Sequence, residues 1–376
     1  MKEKTTKVES SRRKFLKGAG AASVAASAIA APNIVRAAGH ETLKVQAAWG
    51  GGIFLENAQS YVKRVEEMSG GSLKIDLLGV NAVVKTSQMQ DAVHRGVLDG
   101  AHYVTAYWYS KSKAASLFGT GPCYGWSAQE LLGWIAYGGG MELFNELNES
   151  LGLDLISFFN SPMPAQPLGW FKKQITDASQ MKGLKYRTVG LAADVLMEMG
   201  MSVVQLPGGE IQPAMKSGLI DAAEFNNPRS DRDFGMQDVS KHYHLASYHQ
   251  SQESFEITFN KSRYNKLSAE HQAILKYASE AENSNFYWHN TLNYADNLVE
   301  LQEKMGVNVY RTPDSIMQEQ LKAWDIVIER IEKEDPFFAK VVASQKAYAK
   351  KVMRYLLLNA PDYGMAYRHY FGDPTA

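Results

Sequence analysis

The chain has 376 residues, enough for two domains of ordinary size, and 45% of them are hydrophobic. The 40 basic and 40 acidic residues balance, but eight basic and two acidic residues lie in residues 1–37, so the rest of the chain carries a net charge near −6. This charge does not provide the basic surface that nucleic acid requires, and the lone Cys123 excludes an intrachain disulfide, a cysteine-rich zinc site and a cysteine-ligated iron–sulfur cluster.

Residues 1–37 have the features of an export signal. The run Ser11-Arg12-Arg13-Lys14-Phe15-Leu16-Lys17 contains twin arginines, a weakly apolar Gly/Ala stretch follows, and small residues at Val35-Arg36-Ala37 form a cleavage site. This order predicts a twin-arginine signal peptide, with an exposed basic helix start as the alternative. Because Cys123 is far downstream, no lipid attachment is predicted, and the mature chain is expected to be free in the periplasm.

The mature chain begins with a pattern typical of a parallel sheet. Leu43–Trp49 is a predicted strand, Ile53–Ser69 has the apolar spacing of a helix, and Leu73–Leu78 is a second strand. The three glycines between the first strand and the helix, Gly50–Gly52, lack the spacing of a dinucleotide-binding loop. We interpret them as a flexible mouth of a cleft.

Two later segments repeat one pattern, a short helix, a glycine, a turn and a buried strand. The copies are Met89–Ala101 and Ile211–Ala223, in which Gly96 and Gly218 are expected to end the helices in the left-handed conformation. Chance similarity is one explanation, and the other is a pair of lobes with like topology whose strand ends face each other. In the second case the first lobe supplies aromatic walls and the second supplies polar ligands: Tyr103, Tyr107, Trp108 and Tyr109 follow the first copy, and Glu224, Phe225, Asn226 and Asn227 follow the second.

The middle of the chain is predicted to pass from one lobe to the other. Residues 127–150 have helical spacing, and Leu153–Phe159 is a predicted strand. Asn160–Phe171 contains three prolines, which suit a rigid crossing segment better than a central strand. Gln166 lies between two of these prolines and is a candidate for the floor of the cleft.

The stretch Leu184–Asn227 reads strand, helix, strand, helix, strand, and its polar residues lie where apolar runs end. Arg187 and Glu224 each follow a predicted strand, at the sheet edge where α/β proteins bind ligands. Arg187, together with the helix start after Gly190, predicts an anion site, although a surface arginine is the alternative. Side-chain oxygens of Glu224 and Gln166, with the backbone carbonyl of Phe225, form a candidate site for a hard cation.

The C-terminal part is predicted to be mostly helical. Lys241–Phe259 is a returning strand region, Leu267–Lys304 is one long helical stretch, and Met317–Leu358 is a second with a break at Asp335-Pro336. Apolar stripes and alternating Glu/Lys faces indicate solvated helices packed on a core, with a partner interface as the alternative.

Enzymatic chemistry has no positive signal in these patterns. His242, His244 and His249 suggest a zinc triad, but strand spacing places the third histidine on the opposite face. Neither a G-x-S-x-G elbow nor an H-E-x-x-H motif occurs.

Over nearly its whole mature length the chain resembles the solute-binding component of tripartite ATP-independent periplasmic (TRAP) transporters. The segments that carry the resemblance are Gln212–Asn227, Lys182–Arg187 and Gln166–Phe171. It implies an α/β fold with two lobes, like that of periplasmic binding proteins, a ligand cleft between the lobes and long C-terminal helices. The implied boundaries are 38–163 for lobe 1, with a return of the chain at about 254–290, 164–253 for lobe 2, and 267–360 for the helical region.

The resemblance is strongest to the branch that binds 2-oxo and 2-hydroxy acids through a bridging cation. It implies that Arg187 holds the carboxylate of a small organic acid. It also implies a Na⁺ or Ca²⁺ ion held by Gln166, Glu224, the carbonyl of Phe225 and Glu253. The remaining expected substrate contacts are Asn160, Tyr103, Tyr107, Trp108 and the Phe225 ring. The branch usually has Trp where this chain has Phe225, which changes the shape of the pocket and leaves the substrate open.

The expected function is therefore capture of an organic acid by lobe closure, for delivery to TRAP membrane subunits. An exported enzyme acting on such an acid is the first alternative, and it requires turnover. A structural or sensory partner protein is the second, and it requires no saturable ligand. Dimerisation through an exchanged C-terminal helix occurs in the branch and is left open here.

Overall fold

The computed structural model describes residues 40–206 and 208–374, so the predicted signal peptide lies outside the described residues. The described strands form two mixed sheets. The first has the order β2-β1-β3-β10-β4, in which β10 is antiparallel to both neighbours and the other pairs are parallel. Its strands are β1 (Glu41–Ala47), β2 (Leu73–Leu78), β3 (Gly100–Tyr103), β4 (Leu155–Met163) and β10 (Glu253–Asn260).

The second sheet has the order β11-β9-β5-β8-β6-β7. In it β5 is antiparallel to both β8 and β9, and the remaining pairs are parallel. Its strands are β5 (Gly169–Phe171), β6 (Lys185–Arg187), β7 (Ser202–Val204), β8 (Ala222–Ala223), β9 (His242–Leu245) and β11 (Asn308–Arg311).

Helices occur along the whole described chain, and many of them pack on these sheets. Those of the amino-terminal half are α1 (Gly52–Met68), α2 (Met89–His94), α3 (Ala128–Tyr137), α4 (Gly140–Ser150), α5 (Leu191–Glu198) and α6 (Gly208–Ser217). The later ones are α7 (Pro228–Asp233), α8 (Lys261–Asn265), α9 (Ala269–Glu303), α10 (Asp314–Glu334), α11 (Pro336–Asn359) and α12 (Tyr363–Phe371). None of the helices in the described part combines the length and the apolar composition that a membrane crossing requires.

Most predicted elements of the mature chain occur at the expected places, and three differ. The helical stretch 127–150 is two helices, because Gly138 and Gly139 interrupt it and Gly139 has a φ of 87°. The strand predicted to end at Phe159 continues to Met163, which Pro162 permits because β4 is an edge strand. The returning strand region is two strands in different sheets, β9 and β10. The sequence patterns do not anticipate β11 or α12.

The two copies of the repeat have the same order of helix, glycine and strand, although the helices and strands differ in length. Gly96 and Gly218 end their helices with φ values of 71° and 76°. In the first copy, Asp99 accepts a hydrogen bond from the Lys44 backbone N–H, and its own N–H donates to the Lys44 carbonyl. Asp221 makes the same two bonds with Lys185 in the second sheet. Each aspartate therefore fixes the register of its strand on the parallel neighbour, and the two copies are equivalent elements of the two sheets.

The chain passes between the sheets at two segments that touch each other. Residues 164–168 join β4 to β5, residues 246–252 join β9 to β10, and the Gln166 N–H donates to the Gln250 carbonyl (3.0 Å). Helix α9 packs on β4 and α1 and also on α7, beside the second sheet. The loops after β1, β3, β6 and β8 meet at one cavity.

Candidate functional site

The cavity at the strand ends has a volume of about 1230 Å³. The first sheet contributes Trp49 after β1 and Tyr107 after β3, and the second contributes Arg187 at the end of β6 and Phe225 after β8. Gly50, Gly51 and Gly52 also line it. Since open α/β sheets bind ligands at the carboxyl ends of their strands, this cavity is the candidate functional site.

Arg187 is held at the cavity by three hydrogen bonds. Its Nε donates to the carbonyl of Leu206 (2.9 Å), and its Nη1 donates to the carbonyl (3.0 Å) and to Oε1 (2.9 Å) of Glu224. Arg187 is 5% exposed and Glu224 is 1% exposed. The guanidinium therefore has a fixed orientation. Its Nη2 takes part in none of these bonds and is available to a carboxylate.

A second buried carboxyl group, that of Glu253, lies beside this pair. Its Oε2 accepts hydrogen bonds from Gln166 Nε2 (2.7 Å) and Asn226 Nδ2 (2.6 Å). Gln166 lies on the crossing segment before β5, Asn226 follows β8, and Glu253 begins β10. The cluster thus joins residues of both sheets, and the charge of Glu253 acts on Glu224.

Both carboxyl groups hold their protons more tightly than usual. Burial raises the pKa of Glu224 to about 7, against the opposing effect of the Arg187 charge. Burial also raises the pKa of Glu253 to about 7, against the hydrogen bonds from Gln166 and Asn226. The cause in each case is that a charged carboxylate loses its hydration when it is buried.

Two buried oxygen atoms of this cluster have no hydrogen-bond partner among the described residues. They are Oε1 of Gln166 and Oε2 of Glu224. Buried oxygens are normally paired, and an oxygen-rich set with ionisable carboxyl groups is what a hard cation prefers. No group of three or more His, Cys, Asp or Glu in the described ranges is arranged to hold a metal. A cation here would therefore depend on amide or carbonyl oxygens as well as carboxylates.

The loop that carries Glu224 and Asn226 is positioned by Asp231 and Gly169. Asp231 is fully buried, accepts from Trp170 Nε1 (2.9 Å), and also accepts from the backbone N–H groups of Asn226 (3.1 Å) and Asn227. Gly169 lies so close to the end of β8, just before this loop, that a Cβ on it would be 2.3 Å from the Ala223 carbonyl oxygen. The sequence patterns give no role to Asp231, because its partners are distant or backbone groups.

Aromatic rings form much of the cavity wall. Trp49 lies 5.2 Å from Phe54 and 6.2 Å from Tyr107 between ring centroids, and its Nε1 donates to the Tyr107 hydroxyl (3.2 Å). Phe225 lies 5.9 Å from Phe54 and 4.4 Å from Phe234. Tyr107 and Tyr109 line the cavity as the predicted aromatic wall requires, as does Phe225, and Phe54 and Phe234 are additional.

Tyr103 and Trp108 do not line the cavity in this structure, and their expected contact with substrate stays a prediction. Tyr103 is fully buried and Trp108 is 2% exposed, and their rings pack edge to face at 4.7 Å in the core. Tyr103 lies on the face of β3 that packs on helices. The 3₁₀ turn Thr105–Trp108 then directs Tyr107 and Trp108 to different surroundings.

Asn160 and the three histidines also lie outside the described lining of the cavity, as do the cluster residues Gln166, Glu224 and Glu253 behind Arg187. Asn160 is buried in β4, where its Oδ1 accepts from the Ser161 hydroxyl (3.0 Å). Its Nδ2 has no hydrogen-bond partner among the described residues, and its expected contact with substrate stays a prediction. His242 and His244 both stack on Tyr310, whereas His249 bonds the Ser247 hydroxyl.

Residues 52–335 match the model of the family described as bacterial extracellular solute-binding protein, family 7. A monocarboxylate 2-oxoacid-binding periplasmic protein of Nostoc sp. (strain PCC 7120) is 31% identical over 307 residues, which are 81% of this chain and 83% of that relative.

Solved structures have the same fold. A TRAP periplasmic solute-binding protein from Pseudoalteromonas atlantica T6c, with bound sodium and pyruvate, has a TM-score of 0.79 and 28% identity. One from Colwellia psychrerythraea, with bound calcium and pyruvate, gives the same two values. Each comparison covers 88% of this chain and 99% of the other. A TRAP solute-binding protein from Bordetella bronchiseptica RB50, at 23% identity and covering 85% of this chain and 95% of the other, shares the fold with a TM-score of 0.80.

The raised pKa values predict how the stability of the ligand-free protein depends on pH. Between the ordinary carboxyl pKa of 4.5 and about 7, the folded state binds more protons than the unfolded state, so stability falls as the pH rises through this window. We expect Glu253→Gln to remove part of this decline, on the order of 3 kcal/mol for one group. Urea unfolding at pH 5 and pH 8 measures it.

The exposed Glu149→Gln serves as the matched control and should leave the decline unchanged. The variant keeps some decline, because burial also raises the pKa of Glu224 and that of Glu256 to about 8. Equal slopes for the parent protein and Glu253→Gln would show that folding does not raise the pKa of Glu253.

Proposed function

Because the chain belongs to the bacterial extracellular solute-binding proteins of family 7, we propose that it captures a small 2-oxo or 2-hydroxy carboxylate for a TRAP transporter. The observation that carries the proposal is the buried, oriented guanidinium of Arg187 at the cavity. Its donors match the geometry of a carboxylate. The Nostoc relative binds 2-oxo monocarboxylic acids, and the two relatives with 28% identity bind pyruvate.

Members of this family are transport solute-binding proteins, so the acid would be held and released unchanged. The family is extracytoplasmic, and we propose the twin-arginine route for export, on the evidence of Arg12 and Arg13. These arginines lie outside the described residues. An exported enzyme remains the alternative, and it would consume the acid.

A cation is proposed as the second element of the site. Gln166 and Glu224 would hold it through the side-chain oxygens that lack partners, Phe225 would contribute its backbone carbonyl, and Glu253 would complete the set. The cation would supply positive charge to the carboxylates and to the acid. The relatives that bind sodium or calcium together with pyruvate support Na⁺ or Ca²⁺.

Closure of two lobes is the proposed mechanism of capture. We take lobe 1 as residues 38–163 with the return at about 254–290, lobe 2 as 164–253, and 267–360 as the helical region that packs on both. Arg187 belongs to lobe 2, and Tyr107 and Trp49 belong to lobe 1, so an acid held by Arg187 can contact both. Such a ligand stabilises the closed form by its added contacts, and the membrane subunits would recognise that form.

We also propose that a second copy of the chain covers exposed apolar surface at the C-terminal helices. On α9, Tyr277, Trp288, Leu292 and Val299 share one face and are each at least 50% exposed. Helix α12 has no buried residue, although Tyr363, Tyr370 and Phe371 are each 74% exposed. Exposed apolar surface of this extent is typical of an interface. In a symmetric dimer the same surfaces of both copies take part, so the apolar faces of α9 and α12 can be covered in each copy.

The dimer is tested by light scattering after gel filtration. Trp288→Glu, and separately a chain ending at Asn359, are each expected to give monomers where the parent gives dimers. Trp288→Glu introduces a charge into the apolar contact, and the shortened chain lacks the apolar surface of α12. Tyr137→Glu, at a site that is 92% exposed on α3, is the matched control and should not change the mass. A monomeric parent protein would contradict the proposal.

Arg187→Ala is expected to reduce the affinity for pyruvate by about 30-fold or more. Truncation of one partner of a buried charge pair costs about 2–5 kcal/mol in binding, and each 1.4 kcal/mol is about tenfold. Isothermal titration calorimetry measures the loss. The double variant Arg187→Ala/Glu224→Gln avoids an unpaired buried carboxylate and protects the fold. Arg330→Ala, an exposed arginine on α10, is the control, and parent-like affinity in both Arg187 variants would refute the anchor.

Removal of the cation is expected to weaken pyruvate binding. Titrations in N-methylglucamine buffer with chelator, and then with Na⁺ or Ca²⁺ restored, should give an affinity that returns with one of the ions. Gln166→Leu should bind weakly even with the ion, because it lacks the amide oxygen, whereas the exposed Gln318→Leu should behave as the parent. Affinity that is equal with and without ions would exclude the cation site.

A further inference from the structure

The cavity is far larger than a three-carbon acid requires. Pockets of about 300–1,000 Å³ accommodate drug-sized ligands. The cavity here has a volume of about 1230 Å³, and Arg187 is one of the polar residues that line it. An acid that only filled the space at the guanidinium would leave most of the wall in contact with water. In this form of the site the cavity therefore has room for a larger side group beside the anchored carboxylate.

The wall next to the anchor is aromatic. The charge of Arg187 acts on the Tyr107 phenol, whose pKa burial raises to about 12, and Phe225 directly follows Glu224 in the chain. From these two rings the wall continues without interruption through Trp49 and Phe54. A group attached to the acid next to its anchored carboxylate would thus meet ring surfaces first.

These rings are held in place before any ligand arrives. The hydrogen bond from Trp49 Nε1 fixes the Tyr107 hydroxyl. Phe225 packs directly on Gly208, where a Cβ would come within 2.6 Å of Phe225 Cε2. Phe54 is only 5% exposed and packs against Trp49 and Phe255. Fixed ring faces and edges favour a flat partner, since aromatic pairs prefer offset or edge-to-face contact.

A second anionic group on the ligand finds less support. Lys85 also lines the cavity but is exposed, in contrast to the buried Arg187. Asp233, another lining residue, is acidic and already paired with Arg229 and Arg232. The lining therefore has one buried cationic anchor with an aromatic wall beside it. The other polar residues that line the cavity are uncharged: Asn81, Thr86, Ser87, Ser110, Gln205 and Ser230.

We propose that the preferred ligand is an aryl-substituted 2-oxo monocarboxylate, whose ring packs between Tyr107, Phe54 and Phe225. This inference rests on the proposed function and specifies its substrate class. The carboxylate of every 2-oxo acid can bind Arg187, so the aromatic wall provides the selectivity among them.

The test compares three acids that differ in the side group, pyruvate, 4-methyl-2-oxopentanoate and phenylpyruvate, with the mature protein and Na⁺ or Ca²⁺ present. Calorimetry, supported by the fluorescence of Trp49 in the wall, is expected to give at least tenfold tighter binding of phenylpyruvate than of the other two, at one site per chain. Arg187→Ala should weaken phenylpyruvate binding by the same factor as pyruvate binding, which separates it from non-specific apolar adsorption.

Two variants locate the preference in the wall. Phe54→Leu and Phe234→Leu should each lower the ratio of phenylpyruvate affinity to pyruvate affinity several-fold. Phe234 is 40% exposed, so its replacement leaves the core intact if Phe54→Leu fails to fold. Tyr137→Leu, outside the cavity, is the matched control and should keep the ratio.

The outcomes distinguish this inference from the function on which it rests. Binding of pyruvate or of the branched acid as tightly as phenylpyruvate would overturn the aryl preference and leave the solute-binding function in place. A folded protein that binds none of the three acids would overturn both. A preference that survives Phe54→Leu and Phe234→Leu would also overturn the assignment to this wall.

Discussion

One buried guanidinium, that of Arg187, lies beside two buried carboxyl groups, those of Glu224 and Glu253. The electrostatics of the cavity depend on this excess of carboxyl groups over positive charge. Removal of a charged group from water costs several kcal/mol unless partners replace the hydration. Arg187 compensates Glu224, whereas Glu253 relies on the amide groups of Gln166 and Asn226. The pKa values of Glu224 and Glu253 are therefore raised to about 7, because the charged carboxylates are less stable in the buried cluster than in water.

In the scaffold around this group, backbone segments of neighbouring strands lie close to one another. Gly169 allows β5 to lie against the end of β8, and Asp231 binds the N–H groups of the loop that follows. Asp99 and Asp221 fix equivalent strands in the two sheets. None of these four residues lines the cavity. Gly169 and Asp231 position the segment after β8, and Asp99 and Asp221 fix the register of β3 and β8. The cavity residues Tyr107 and Phe225 follow these two strands.

The sequence predicts the local elements well because their signals are local. Arg187 and Glu224 are found from the ends of apolar runs, and the repeat is found from a glycine and an aspartate at fixed spacing. The role of Asp231 escapes such patterns, since Trp170 is distant in sequence and its other partners are backbone groups. Tyr103 and Tyr107 illustrate the same limit. Both follow the first copy of the repeat, but Tyr103 lies on the face of β3 that packs in the core, whereas Tyr107 reaches the cavity from the 3₁₀ turn that follows.

The polar and aromatic parts of the cavity have different physical tasks. A carboxylate anchor binds all 2-oxo acids through the same atoms, so it adds affinity for the class without discriminating within it. Apolar walls discriminate weakly for each methylene, by about 1–3 kcal/mol, but a whole ring adds contacts over a large area. Tyr107 and Phe225 lie where the anchor and the wall meet, so orientation of the carboxylate by Arg187 also determines where the side group is directed. Selectivity in this cavity therefore depends on the fixed direction of the guanidinium as much as on the rings themselves.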